Sequence, residues 1–126
     1  MESLVIEKGK SSPYINFDIS SGTLALRGES FPENAASFYD PVIKWVAEYF
    51  GTAPGGETVF EFEIIYFNSS TSKIFMSLFS ALDGLCQAGK KIRVNWRATE
   101  ENETAIECGE EFKEDLEHLE FNILVG

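Results

Sequence analysis

The sequence predicts an α/β (α+β) fold: a mixed β-sheet of about five strands with helices packed on one face and one βαβ crossover. Three observations carry that expectation. Apolar and polar residues alternate along Tyr14–Ile19 and Lys91–Arg97, three other stretches space apolar residues at three and four, and strand, helix and strand succeed one another between Phe60 and Arg97. A chain of 126 residues, 44% of them hydrophobic, can bury one real core, so residues 1–126 are read as a single domain.

Each element follows from local pattern. Ile15, Phe17 and Ile19 share one face, Ser20-Ser21-Gly22 supplies turn residues, and Leu24 and Leu26 resume the alternation, which makes a β-hairpin. Gly28 to Asn34 reads as a loop, with Asn34 as N-cap of a helix carrying Ala35, Phe38, Tyr39, Val42, Val46 and Tyr49. Pro41 lies inside that pattern and an interior proline costs about 3 kcal/mol, so a kink or restart is expected at Asp40 before the helix runs on to Phe50. Gly51–Gly56 is a connector. The longest strand follows, with Phe60, Phe62, Ile64 and Tyr66 on one face and Glu61 and Glu63 on the other. A helix then places Phe75, Leu78, Phe79, Leu82 and Cys86 on one stripe and closes at Gly89. In the next strand Ile92, Val94 and Trp96 face one way, while Lys91, Arg93, Asn95 and Arg97 face the other and can meet Glu61 and Glu63. A last helix over about Glu101–Glu117 turns Ala105, Cys108, Phe112 and Leu116 inward, and a final strand spans about Leu119–Val125.

Composition excludes several function classes. A net charge of −11 argues against nucleic acid and anionic membrane surfaces as partners, because both are polyanions, and makes protein partners the default. Ten of the 21 acidic residues fall between Glu100 and Glu120, which reads as a solvated helix face. Cys86 and Cys108 have no CxxC spacing and read as buried thiols in a reducing compartment. With no basic segment followed by an apolar one at the N-terminus, a cytoplasmic location is expected. The only histidine, His118, sits in an acidic segment, and neither a metal-ligand cluster, a Gly-x-Ser-x-Gly elbow nor a phosphate-cradling loop is present. No cofactor is expected.

One cluster survives this elimination. Asn68 is followed by four consecutive hydroxyls, Ser69, Ser70, Thr71 and Ser72, and then Lys73, at the junction where the longest strand gives way to a helix. Helix N-termini carry unpaired N–H groups and the positive end of the macrodipole, so a phosphorylated hydroxyl here would act as a switch. Capping explains one such residue; it does not readily explain four in a row. Lys73, one turn in, is placed to contact a phosphate.

The segments Gly28-Glu29-Ser30-Phe31-Pro32-Glu33-Asn34, Phe38-Tyr39-Asp40-Pro41 with Trp45, Tyr66-Phe67-Asn68-Ser69-Ser70 with Lys73, and Asn95-Trp96-Arg97 together resemble the SiaC family of bacterial regulatory phosphoproteins. The resemblance covers nearly the whole chain. It implies a fold like the STAS domain of anti-sigma factor antagonists, and it places the phosphoacceptor at Ser69, directly after Asn68. It further implies a dedicated Ser/Thr kinase, a PP2C-type phosphatase, and an unphosphorylated form that binds and activates a diguanylate cyclase, raising cyclic di-GMP and promoting aggregation or biofilm formation. This chain departs in carrying Ser at the acceptor position and Thr71-Ser72 beside it, which leaves the modified hydroxyl open within residues 69–72.

The leading expectation is therefore a non-catalytic phospho-switch that docks a signalling enzyme through the surface around Ser69: Asn68, Ser70, Lys73 and the Phe31-Pro32-Glu33-Asn34 loop. An anti-sigma factor antagonist controlling transcription by the same kind of switch is the second reading. A small enzyme working through carboxylates is the third.

Overall fold

The computed structural model describes residues 1–126. Its elements run β1 (Leu4–Ile6), β2 (Tyr14–Asp18), β3 (Thr23–Ser30), α1 (Ala35–Gly51), β4 (Thr58–Phe67), α2 (Ser69–Gln87), β5 (Ile92–Ala98), α3 (Glu103–Glu114) and β6 (Glu120–Val125). One sheet takes the strands in chain order, antiparallel from β1 to β3 and parallel from β3 to β6. Parallel strands added in one direction by crossovers of one hand leave every helix on the same face. The helices accordingly share one core with Phe60, Phe62, Val94, Trp96 and Phe121, whereas the opposite face carries Glu61, Asn95, Arg97 and Asn122.

The sheet has six strands where about five are expected. The extra one, β1, is three residues long, too short to display an alternation, and it pairs Leu4 with Phe17 and Ile6 with Ile15. Side-chain bonds pin its surroundings: Trp45 Nε1 donates to the Glu2 carbonyl at 2.8 Å, and Ile19 N–H donates to Ser3 Oγ at 2.9 Å. The expected crossover through α2 is joined by two others, through α1 and α3. The one through α1 depends on β3 continuing to Ser30, so residues 28–30 are strand and not loop. Gly28 makes that continuation possible, since its φ of +111° is a conformation that L side chains rarely adopt.

Helix α1 passes through Pro41 without the restart expected at Asp40. The missing amide leaves the Ser37 carbonyl without its helical donor, but Ser37 and Pro41 are both exposed and water can satisfy that carbonyl. The inner face of the same turns is anchored by Tyr39, Val42 and Trp45, all buried. Packing outweighs the lost bond.

Beneath α2, Phe62 meets Phe75, Phe79 and Trp96 at ring-centroid distances of 5.2, 5.1 and 5.8 Å. Burying each such side chain contributes about 1.5–3 kcal/mol. Helix α2 ends as expected at Gly89 (φ +103°), with Gly89 N–H bonded to the Cys86 carbonyl and Lys90 N–H to that of Leu85. On the open face Glu61 accepts from Asn95 Nδ2 at 2.5 Å and from Arg97 Nε at 2.6 Å, as the strand patterns anticipate. Glu63 stays exposed, and Arg93 pairs with Glu57 at 3.1 Å instead. The acidic residues Glu107, Glu110, Glu111 and Glu114 of α3 face solvent. Cys86 and Cys108 are free and half-buried, and burial pushes both thiols up.

Candidate functional site

The two segments singled out in the sequence meet at the C-terminal ends of β3 and β4, where α1 and α2 begin. Asn34 caps α1, its Oδ1 accepting from Ser37 N–H at 3.0 Å, and Asn68 caps α2 in the same way, accepting from Thr71 N–H at 2.9 Å. Capping of α2 is therefore the work of Asn68, which frees the hydroxyls after it for other roles. Ser69 is the first helical residue.

The four hydroxyls are not equivalent. Ser69 and Ser70 are exposed, Ser72 is half-buried, and Thr71 is fully buried. Thr71 Oγ1 lies 3.0 Å from Ser30 Oγ, which in turn lies 2.6 Å from the Tyr39 hydroxyl. Burial pushes the Tyr39 phenol up to about 12, with the Ser30 bond opposing, so it stays neutral and keeps its proton at physiological pH. Three elements are tied by these hydroxyls: the end of β3, the second turn of α1 and the first turn of α2. The Ser30 carbonyl adds a third bond to these two, accepting from Asn68 N–H at 3.1 Å.

The Phe31–Asn34 loop leaves directly from Ser30. Pro32 is buried, while Phe31, Glu33 and Asn34 are exposed. Lys73 is also exposed, four residues after Ser69 and so on the same helix face one turn along. Tyr66 departs from the inward face expected for it. Register against β3 slips between Gly28 and Glu29, so that Gly28 pairs with Ile64 but Glu29 with Tyr66, leaving Ile65 as a bulged residue. Beyond the bulge Phe67 takes the core side, 5.8 Å from Phe75, and Tyr66 turns outward to 53% exposure. There it meets Phe31 edge-on at 5.7 Å. Asn102 Nδ2 holds the bulge by donating to the Ile65 carbonyl at 2.8 Å.

The arrangement is a surface rather than a cleft. Two capped helix starts, an exposed aromatic pair, exposed Ile65 and two exposed serines form one end of the molecule. Elsewhere an apolar groove of about 520 Å³ between α1 and α2, lined by Ile43, Phe50, Ile74 and Leu85 among others, contains no titratable side chain. Ser30, Tyr39 and Tyr66 belong to this surface or its support without having been assigned roles from sequence. All three lie inside the segments that carry the family resemblance, and that was the available signal.

Comparison with known proteins agrees with this fold. The chain is 32% identical over 117 residues to the uncharacterized protein PA14_02130 of Pseudomonas aeruginosa (strain UCBPP-PA14), a match covering 91% of this chain and 90% of that one. Its structure superposes on SiaC of Pseudomonas aeruginosa with a TM-score of 0.88 at 28% identity, over 100% of both chains. It superposes equally well, at 0.88 and 30% identity over 98% of this chain and 99% of the other, on a chain of the crystal structure of the diguanylate cyclase SiaD in complex with its activator SiaC from Pseudomonas aeruginosa. The model of the SiaC family of regulatory phosphoproteins matches residues 6–125, and the chain belongs to that family.

Proposed function

We propose that this protein is a non-catalytic, cytoplasmic phospho-switch whose unmodified form binds and activates a diguanylate cyclase, raising cyclic di-GMP and with it aggregation or biofilm formation. The observation that carries the reading is the exposed Ser69 at the first position of α2, beside the exposed Phe31–Tyr66 pair. The SiaD–SiaC complex supports a cyclase as the partner class over the anti-sigma factor alternative. No helix here is long and apolar enough to cross a membrane.

In this reading a dedicated Ser/Thr kinase moves the γ-phosphoryl group of ATP onto Ser69 Oγ, which loses its proton as ADP leaves. A PP2C-type phosphatase hydrolyses the ester and returns inorganic phosphate. Phosphorylation adds about −1.5 to −2 charges. Desolvating that group in an interface without a matching arginine cluster costs several kcal/mol, and each 1.4 kcal/mol is about tenfold in affinity. Asn68, Ser70, Lys73 and residues 31–34 would form the rest of the docking surface.

Calorimetry against the cognate cyclase tests this. Ser69→Ala should bind as the unmodified protein does and Ser69→Glu should bind more weakly. Equal affinity of the two variants would refute the switch.

A further inference from the structure

We infer that the buried Ser30–Tyr39–Thr71 hydroxyl chain transmits the modification state of α2's first turn to the Phe31–Asn34 loop, making two separate segments respond as one surface. The inference rests on the phospho-switch reading and adds the internal device that such a switch would use.

Stability alone does not explain the chain of hydroxyls. Ser30 and Thr71 are fully buried and Tyr39 nearly so, with the Tyr39 ring edge-on to Phe38 at 4.8 Å and to Phe75 at 5.8 Å. Replacing all the partners of a buried hydrogen bond by apolar groups of similar shape is often close to neutral, so alanine, phenylalanine and valine at these positions could fill the same space. What hydroxyls add is directionality. Their bonds fail steeply with displacement and angle, and a half-satisfied buried network is costly, so the three elements move together or not at all.

The connectivity gives that coupling a route. Thr71 is two residues from Ser69 on the same helical turn, and its N–H is held by Asn68 Oδ1 at 2.9 Å. A phosphate on Ser69 would compete with the Asn68 carboxamide for the N–H groups of that turn, because charged acceptors form the stronger bonds. Rotation of the turn would then shift Thr71 Oγ1 against Ser30 Oγ and Asn68 N–H against the Ser30 carbonyl. Ser30 is covalently followed by Phe31, the first residue of the loop. Tyr39 anchors the other end, holding Ser30 to α1, whose cap is Asn34. In this scheme Ser30, Tyr39 and Thr71 are positioning residues.

Amide NMR on the full chain, with phosphoserine incorporated at position 69 and compared with unmodified serine, reads the coupling without any partner. In the otherwise native chain, phosphoserine should shift the amides of Phe31, Glu33 and Asn34 as well as those of residues 68–73. In the Tyr39→Phe background, and independently in Thr71→Val, the response of residues 68–73 should persist and that of the loop should shrink to what the remaining Asn68–Ser30 backbone bond carries, with the amide pattern of the sheet unchanged. A loop response of the same size in both variants would overturn the inference, as would the absence of one in the native chain. Failure of the switch itself would appear separately, as equal cyclase binding by the phosphorylated and unmodified proteins.

Discussion

Gly109 of α3 rests against the indole of Trp96, so closely that a Cβ at this position would fall 2.6 Å from Cδ1 and 2.8 Å from Nε1. The indole cannot retreat, because it is buried in the core and its Nε1 donates to the Ala105 carbonyl of the same helix at 2.9 Å. Glycine normally weakens a helix by about 1 kcal/mol relative to alanine. Here overpacking, at about 1–3 kcal/mol, exceeds that gain. Gly109→Ala should therefore lower stability by about 1–2 kcal/mol in urea unfolding. Gly84, in α2 with nothing near the place of a Cβ, should show the opposite sign, gaining about 0.5–1 kcal/mol on Gly84→Ala.

The hydroxyl cluster should divide sharply under acidic substitution. Thr71→Glu forces a carboxylate into a fully buried site beside Ser30 and should cost more than about 3 kcal/mol or prevent folding. Ser69→Glu places the same charge in solvent at the positive end of α2 and should change stability by no more than about 0.3–1 kcal/mol, in the favourable direction. Thermal unfolding of the two variants side by side distinguishes them.

Tyr66 offers a large, half-exposed aromatic surface that the bulge at Ile65 turns away from the core. Aromatic residues in such positions concentrate binding energy. Tyr66→Ala should weaken cyclase binding by about 1–2 kcal/mol, roughly five- to thirtyfold, while moving stability by less than about 0.5 kcal/mol. Calorimetry and unfolding on the same preparation check both halves.

Asp83 of α2 holds the chain leading into β6. Its Oδ1 accepts from the amides of Glu117, His118 and Leu119 at 3.1, 2.7 and 2.8 Å. The Leu119 and His118 bonds hold its carboxyl below the usual carboxylate range. A depressed folded-state value means that the contribution is complete above the unfolded value of about 3.9 and disappears as pH falls through the folded one. Asp83→Asn should cost about 1 kcal/mol at neutral pH, a modest figure because water also reaches the carboxylate. The gap between variant and wild type should close below about pH 4 in urea titrations at the two pH values.

Much of this molecule is legible in its sequence, and the failures share a cause. Periodicity locates β2, β4, β5 and all three helices because each is long enough to bury one face repeatedly. The cap residue Asn34 and the C-terminal Gly89 are likewise legible, since the chemistry of a helix end is local, whereas the cap of α2 proves to be Asn68, which the sequence does not single out as a cap. Strand β1 escapes because three residues carry no period. Pro41 misleads because its local cost is real, and only the burial of Tyr39, Val42 and Trp45 shows what outweighs it. The bulge at Ile65 is set by pairing with β3, a strand more than thirty residues earlier, so Tyr66 is assigned to the wrong face by counting alone. Thr71 cannot be told from its three hydroxyl neighbours until Ser30 and Tyr39 are brought against it.

The rate of cyclic di-GMP formation by the cognate cyclase, measured with unmodified protein and with protein carrying phosphoserine at position 69 at matched concentrations, bears most directly on the proposed switch. Stimulation by the unmodified protein and little or none by the phosphorylated form is the predicted result. Equal stimulation by both, or greater stimulation by the phosphorylated form, would contradict it.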